Sequence, residues 1–118
     1  MPPGMAEPRH QLNCAREIAR RNFIEELCAD IAPPADALGQ VNDWEGWGDG
    51  SGRMFTCSTR AVDTMSVEVI GIQHDDGQIE RYVLADANDG QGGMTAERAR
   101  RLAAALIAAA DELEVFGL

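Results

Sequence analysis

The chain has no lysine. Its basic residues are ten arginines, set against twenty acids for a net charge of −10. That deficit opposes non-specific nucleic-acid binding, whose affinity comes largely from neutralising phosphates. Its simplest consequence is solubility. Long apolar runs are scarce as well: the longest, Leu102 to Ala110, is far short of the roughly 20 residues a membrane-spanning helix needs. The opening Met-Pro-Pro-Gly-Met-Ala-Glu-Pro has neither the basic nor the apolar region of a secretory signal. It reads as a disordered tail over residues 1–9 of a cytoplasmic protein.

Chemistry-bearing patterns are equally thin. Cys14, Cys28 and Cys57 are an odd set without a C-x-x-C pair. Cys14 and Cys28, if they share one helix, stand about 21 Å apart at 1.5 Å per residue, too far to bond. Reduced thiols acting as small hydrophobes fit this usage. A thiolate nucleophile needs a base or a positive field, and the histidines are only His10 and His74. H-E-x-x-H, G-x-S-x-G, P-loop and G-x-G-x-x-G signatures are missing. Asp86, Asn88 and Glu97 match positions one, three and twelve of a calcium loop, but Gly90 and Gln91 break its ligand set and its turn. His74-Asp75-Asp76 falls where such residues serve a hairpin turn. No catalytic residue, metal ligand or cofactor is therefore expected, and the protein reads as non-enzymatic.

What the sequence does contain is periodicity. From Thr95 onward Ala99, Leu102, Leu106, Ala109, Leu113 and Phe116 recur at alternating spacings of three and four, which predicts an amphipathic helix. Thr95 is placed to cap it, Glu97 suits its first turn and Gly117 is placed to end it. A first helix is expected from His10 to Ile31, with Leu12, Ala15, Ala19, Phe23, Ile24, Leu27, Cys28 and Ile31 inward and Arg16, Arg20 and Arg21 forming a basic spot opposite. Pro33-Pro34 stops it. Residues 35–52 read as a Gly/Asp-rich loop carrying Trp44 and Trp47, an aromatic pair suited either to closing the core or to a partner's surface. Three strand-like runs follow: Arg53–Thr59, Ser66–Gln73 and Gln78–Ala85, the last two joined by an Asp76-Gly77 hairpin signal. Gly71 inside its strand predicts a bulge or a close backbone approach.

The run Asp76-Gly77-Gln78-Ile79-Glu80-Arg81, followed by Met94 to Leu113, is similar to small uncharacterised actinobacterial and mycobacteriophage proteins. Their last helix reads roughly Leu-Thr-x-x-Gln-Ala-Arg-x-Leu-Ala-x-Ala-Leu-x-x-Ala-Ala-Asp-Glu. The resemblance covers about residues 53–114, with Arg98 where that pattern has glutamine. It implies a source and a fold, and no site residues, because the family carries no assigned activity.

These readings converge on a single α+β domain over residues 10–118. Its expected core is a three-stranded antiparallel sheet, with the C-terminal helix across one face and the N-terminal helix beside it. The expected function is that of a small acidic interaction or regulatory protein that self-associates and binds a protein partner. Trp44, Trp47, Arg16, Arg20, Arg21, Ile107 and Phe116 are the candidate contacts, with Ile107, Val115, Phe116 and Leu118 as a helix edge that either extends into a dimer contact or completes the monomer core. Two alternatives belong to other classes. One is a nucleic-acid role, through Arg98, Arg100 and Arg101 in a double-stranded-RNA-binding order of elements or by acidic mimicry of DNA. The other is a small metal binder or enzyme using Asp86, Asn88 and Glu97.

Overall fold

The computed structural model describes residues 8–48, 50–87 and 93–116. Helix α1 spans Pro8–Leu27, strands β1 to β4 span Glu45–Trp47, Gly50–Val62, Met65–His74 and Ile79–Asp86, and helix α2 spans Ala96–Glu114. The strands form one antiparallel sheet in the order β1-β2-β3-β4. The α+β class is as the sequence predicts, but the sheet has four strands rather than three. The additional strand and the first residues of β2 come from the stretch expected to be a loop. That stretch is pinned along the outer edge of β2. Gly39 N–H donates to Thr56 O at 2.9 Å, Thr56 N–H to Gln40 O at 2.8 Å and Asn42 N–H to Met54 O at 2.9 Å, with Val41 bridged to Phe55.

The turns follow from local chemistry. Val62 pairs with Met65 across Asp63-Thr64, and Asp63 takes the left-handed φ of 55° that aspartate tolerates better than most residues. At the β3–β4 turn Gly77 takes φ 92°, and Asp76 accepts a bond from Gln78 N–H at 2.9 Å. The Asp-Gly hairpin is where the sequence placed it.

Register in β2 departs from simple alternation. Thr56 pairs with Ile70 but Ser58 pairs with Val69, so one extra residue is accommodated at Cys57. The bulge moves Ser58 and Arg60 onto the face of Val67 and Val69. Phe55 lies across Gly71, where an added Cβ would collide with its ring. The close approach at this glycine is thus made by an aromatic side chain and not by the alanine-rich helix.

One face of the sheet, hereafter the covered face, carries the core. Phe55, Val62, Met65, Val67 and Val69 meet Ala105 and Ala109 of α2, with Leu102 and Leu113 alongside. The buried stripe of α2 therefore turns on Ala105 rather than Leu106, which is half exposed. The small side chains let the helix sit close to the sheet. Thr95 caps it as expected, accepting from Arg98 N–H at 3.2 Å. Glu112 accepts from Ser58 Oγ at 2.9 Å and from Arg60 Nη2 at 3.0 Å. Gly117 and Leu118 lie outside the described residues.

Helix α1 ends four residues earlier than expected, and it contacts β1 rather than lying beside α2. Only Ile24 and Cys28 of its expected stripe are buried, against Trp44 in a small second cluster. Among the described residues, no helix is long and apolar enough to cross a membrane.

Candidate functional site

The two tryptophans part company. Trp44 is 5% exposed, and the Arg53 guanidinium stands 4.4 Å from its ring centroid, a cation–π contact. Arg53 is itself fixed, donating to Gln73 Oε1 at 2.8 Å and to Ile31 O at 2.9 Å. Trp44 is therefore a core residue. Trp47 points to the opposite side of the sheet. There it covers Gly52 and meets His74 edge-on with centroids 6.2 Å apart, and it stays 38% exposed.

The basic spot on α1 is exposed as predicted, at Arg16, Arg20 and Arg21. Arg20 reaches Gly46, and a cleft of about 420 Å³ between α1 and β1 brings Arg20 and Arg21 together with Asp43, Trp44 and Glu45. Ile107 is 62% exposed on the outward side of α2. Phe116 is turned to the covered face, with the Arg81 guanidinium 4.1 Å from its centroid. Arg81 also makes a two-pronged bond to Asp36, with both distances 2.8 Å. The Arg81 bond holds the Asp36 carboxyl below its ordinary pKa, against the opposing effect of burial. Burial, with the Asp36 carboxylate beside it, pushes the Cys57 thiol up to about 12. Cys28 is likewise raised by burial. These two thiols are poor nucleophiles.

The His74–Asp76 turn makes local contacts. Asp75 accepts from Ser51 N–H at 3.0 Å, and His74 Nε2 lies 2.8 Å from Glu80 Oε2. Among the described residues no group of three or more His, Cys, Asp or Glu is arranged to hold a metal. Asn88 lies outside them. Arg98 and Arg101 both bind Asp63, at 3.0 and 2.8 Å. Their hydrogen bonds and charge hold its carboxyl below the usual range.

The surface that sequence reasoning missed is the second face of the sheet. α2 and residues 36–41 cover one side, which leaves Met54, Ile70, Ile72, Tyr82 and Leu84 with Trp47 on the other. Met54, Tyr82 and Leu84 are 37%, 45% and 50% exposed. By register Leu84 stands level with Glu68, Tyr82 with Ile70 and Thr56, and Met54 with Ile72. Trp47 stands beyond Gly52, opposite Gly50. The apolar side chains thus run diagonally from β4 to β1. A signal for this existed, since Ser66–Gln73 is apolar on both faces while two short helices can cover only one. Acids ring the diagonal at Glu45, Glu68, Glu80 and Asp86, whereas the sheet's arginines, Arg53, Arg60 and Arg81, all point to the covered face. Glu80 is held below the usual carboxylate range by its bonds from His74 and Tyr82, and the same contact raises the Tyr82 hydroxyl.

The described residues define an α+β protein with two helices on a four-stranded antiparallel meander, one sheet face filled and the other exposing Met54, Tyr82, Leu84 and Trp47. No protein-family model matches the chain, and no curated protein or solved structure matches it significantly.

Proposed function

We propose that this is a non-enzymatic interaction protein that works by presenting the open sheet face to a protein partner and that self-associates. The observation that carries the reading is the apolar diagonal from Leu84 to Trp47. A contiguous exposed apolar patch with a polar rim is the usual mark of an association site, and its aromatic members are of the kind that dominate binding energy. The perturbed groups Asp36, Cys57 and Asp63 each have a structural partner, which leaves little support for acid–base or nucleophilic chemistry.

The RNA reading loses support from the Asp63 bonds. Two of its three arginines already share the Asp63 carboxylate at the start of α2. Sedimentation velocity between about 5 and 500 μM tests the main reading, a range in which weak interfaces resolve. A concentration-dependent rise in mass that Tyr82→Glu/Leu84→Glu abolishes supports it. A protein that stays monomeric throughout, and from which those substitutions remove no captured partner, overturns it.

A further inference from the structure

Helix α1 carries a second stripe that none of the described residues covers. Leu12, Ala15, Ala19, Phe23 and Leu27 are spaced by three and four, so they line one side of the helix. At about 100° per residue that side is turned roughly 140° away from Ile24 and Cys28, which hold α1 against Trp44. Phe23 and Leu27 are 60% and 65% exposed. The molecule is extended accordingly. Its radius of gyration is 19.5 Å and its long axis 58 Å, whereas a compact chain of this length has a radius near 13–14 Å.

Two exposed apolar surfaces among the described residues are complementary in charge, and the helix stripe is short enough to lie within the sheet diagonal. The stripe from Leu12 to Leu27 measures about 22 Å at 1.5 Å per residue. The sheet diagonal covers about eight residue steps along the strands and three strand spacings across them, roughly 30 Å. Helix α1 holds four arginines against three glutamates, and Arg16 and Arg20 border its stripe. Residues 28–118 hold sixteen acids against six arginines, and the charged residues around the diagonal are acids, with His74 beside Glu80. The protomer's own α1 is anchored on the wrong side to serve. Gly46, which receives Arg20 and Ile24, points to the covered face, while its neighbours Glu45 and Trp47 point to the open one.

From this match we infer that α1 of one copy lies across the open sheet face of a second copy, and reciprocally, giving a two-fold dimer. Leu12, Phe23 and Leu27 cross the Leu84–Trp47 diagonal, and Arg16 meets the acid rim. The contact is isologous as a whole, and each half joins unlike surfaces. The inference rests on the self-association proposed above and specifies how that association is made.

Complementation between two variants tests it. Phe23→Asp/Leu27→Asp spoils the helix and leaves the sheet face intact; Tyr82→Glu/Leu84→Glu does the reverse. All four positions are at least 45% exposed, and circular dichroism melts check that both chains fold. Should either charged pair fail to fold, Phe23→Ser/Leu27→Ser or Tyr82→Ser/Leu84→Ser replaces it. The wild type is expected to sediment as a dimer that weakens as salt is raised from 50 to 500 mM, the rim being charged. Each variant alone should dimerise at least ~100-fold more weakly, while an equimolar mixture should give a 1:1 heterodimer, since it restores one helix-on-sheet contact. A helix variant that still dimerises overturns the inference in favour of sheet-to-sheet or β4-edge pairing, with self-association intact. A sheet variant that still dimerises overturns it in favour of helix-to-helix pairing. A wild type that is monomeric at 500 μM overturns both this inference and the self-association it rests on.

Discussion

Helices α1 and α2 are twenty and nineteen residues long, both are amphipathic, and they meet opposite fates. Helix α2 has modest side chains on its inner stripe, mainly alanine, and these are buried. Helix α1 has larger ones, Leu12, Phe23 and Leu27, and these are exposed. Side-chain size does not decide which stripe is covered. The deciding factors lie at the ends and flanks. Helix α2 is capped by Thr95, has Glu97 in its first turn, and is tied down by Asp63 at its start and by Ser58 and Arg60 near its end. Helix α1 has no acid in its first turn and no base in its last, and among the described residues its buried apolar anchors are Ile24 and, just past its end, Cys28. An amphipathic period reports that a stripe is to be covered; the flanking polar anchors report whether its own chain covers it.

The largest expected effect breaks the α2 side of this comparison. Ala109 is fully buried against the sheet, so Ala109→Asp places an unpaired charge in the core at a cost of about 3–5 kcal/mol. Ala19→Asp, on the exposed side of α1, should shift folding by no more than about 0.5 kcal/mol. Urea unfolding of the two variants at a concentration where the chain is monomeric measures the ratio. Equal costs would mean that the two stripes are buried alike.

Next in size is the pin between residues 36–41 and β4. Asp36 accepts both prongs of Arg81 and the Cys57 thiol, and both ion-pair partners are largely buried. Asp36→Ala should cost about 2 kcal/mol. The pH dependence follows from the direction of the shift. The folded-state carboxyl sits below its ordinary value of 3.8, so its contribution is complete above that value and is lost as pH falls through the lower folded one. The gap between wild type and variant should therefore close in acid, and melts between pH 2 and 7 read it directly. A gap independent of pH would show that packing around Asp36, and not its charge, is what was lost.

Much of this was legible in the sequence, and the failures share a cause. The cap at Thr95, the Asp76-Gly77 hairpin and the existence of both helices are local signals, and they hold. Residues 39–47 were read as a loop because glycine, aspartate and asparagine carry little strand propensity. Their pairing with β2 is tertiary, made through backbone groups that any residue supplies. The bulge at Cys57 has no local signature, yet it alone brings Ser58 and Arg60 beneath Glu112. Trp44 and Trp47 look equivalent in sequence, and the side of the chain each occupies is settled only once Glu45–Trp47 becomes a strand. The open face was written in the doubly apolar pattern of Ser66–Gln73, but a count of what two helices can cover was needed to expose it.

A smaller effect sharpens the role of the ends. Thr95 accepts a backbone N–H in the first turn of α2, so Thr95→Ala should cost about 1 kcal/mol. Thr95→Asp should recover most of it, because a carboxylate both caps and complements the positive helix end. Thermal melts of the pair against wild type distinguish this from a general loss of packing, which aspartate would not repair.

The smallest expected change bears most on the comparison. Phe23→Ser removes a large side chain from the middle of the α1 stripe. In a monomer that side chain is exposed, so the folding free energy should move by no more than about 0.5 kcal/mol. A buried phenylalanine truncated in this way would cost several kcal/mol through lost transfer energy and a cavity. Stability measured at two protein concentrations separates the cases. If the stripe is covered by a second copy, wild type gains stability with concentration and Phe23→Ser does not, because only the associated state buries the ring. If Phe23→Ser instead costs several kcal/mol at every concentration, the ring is buried within its own chain. The contrast between α1 and α2 would then disappear, and the helix-on-sheet dimer with it.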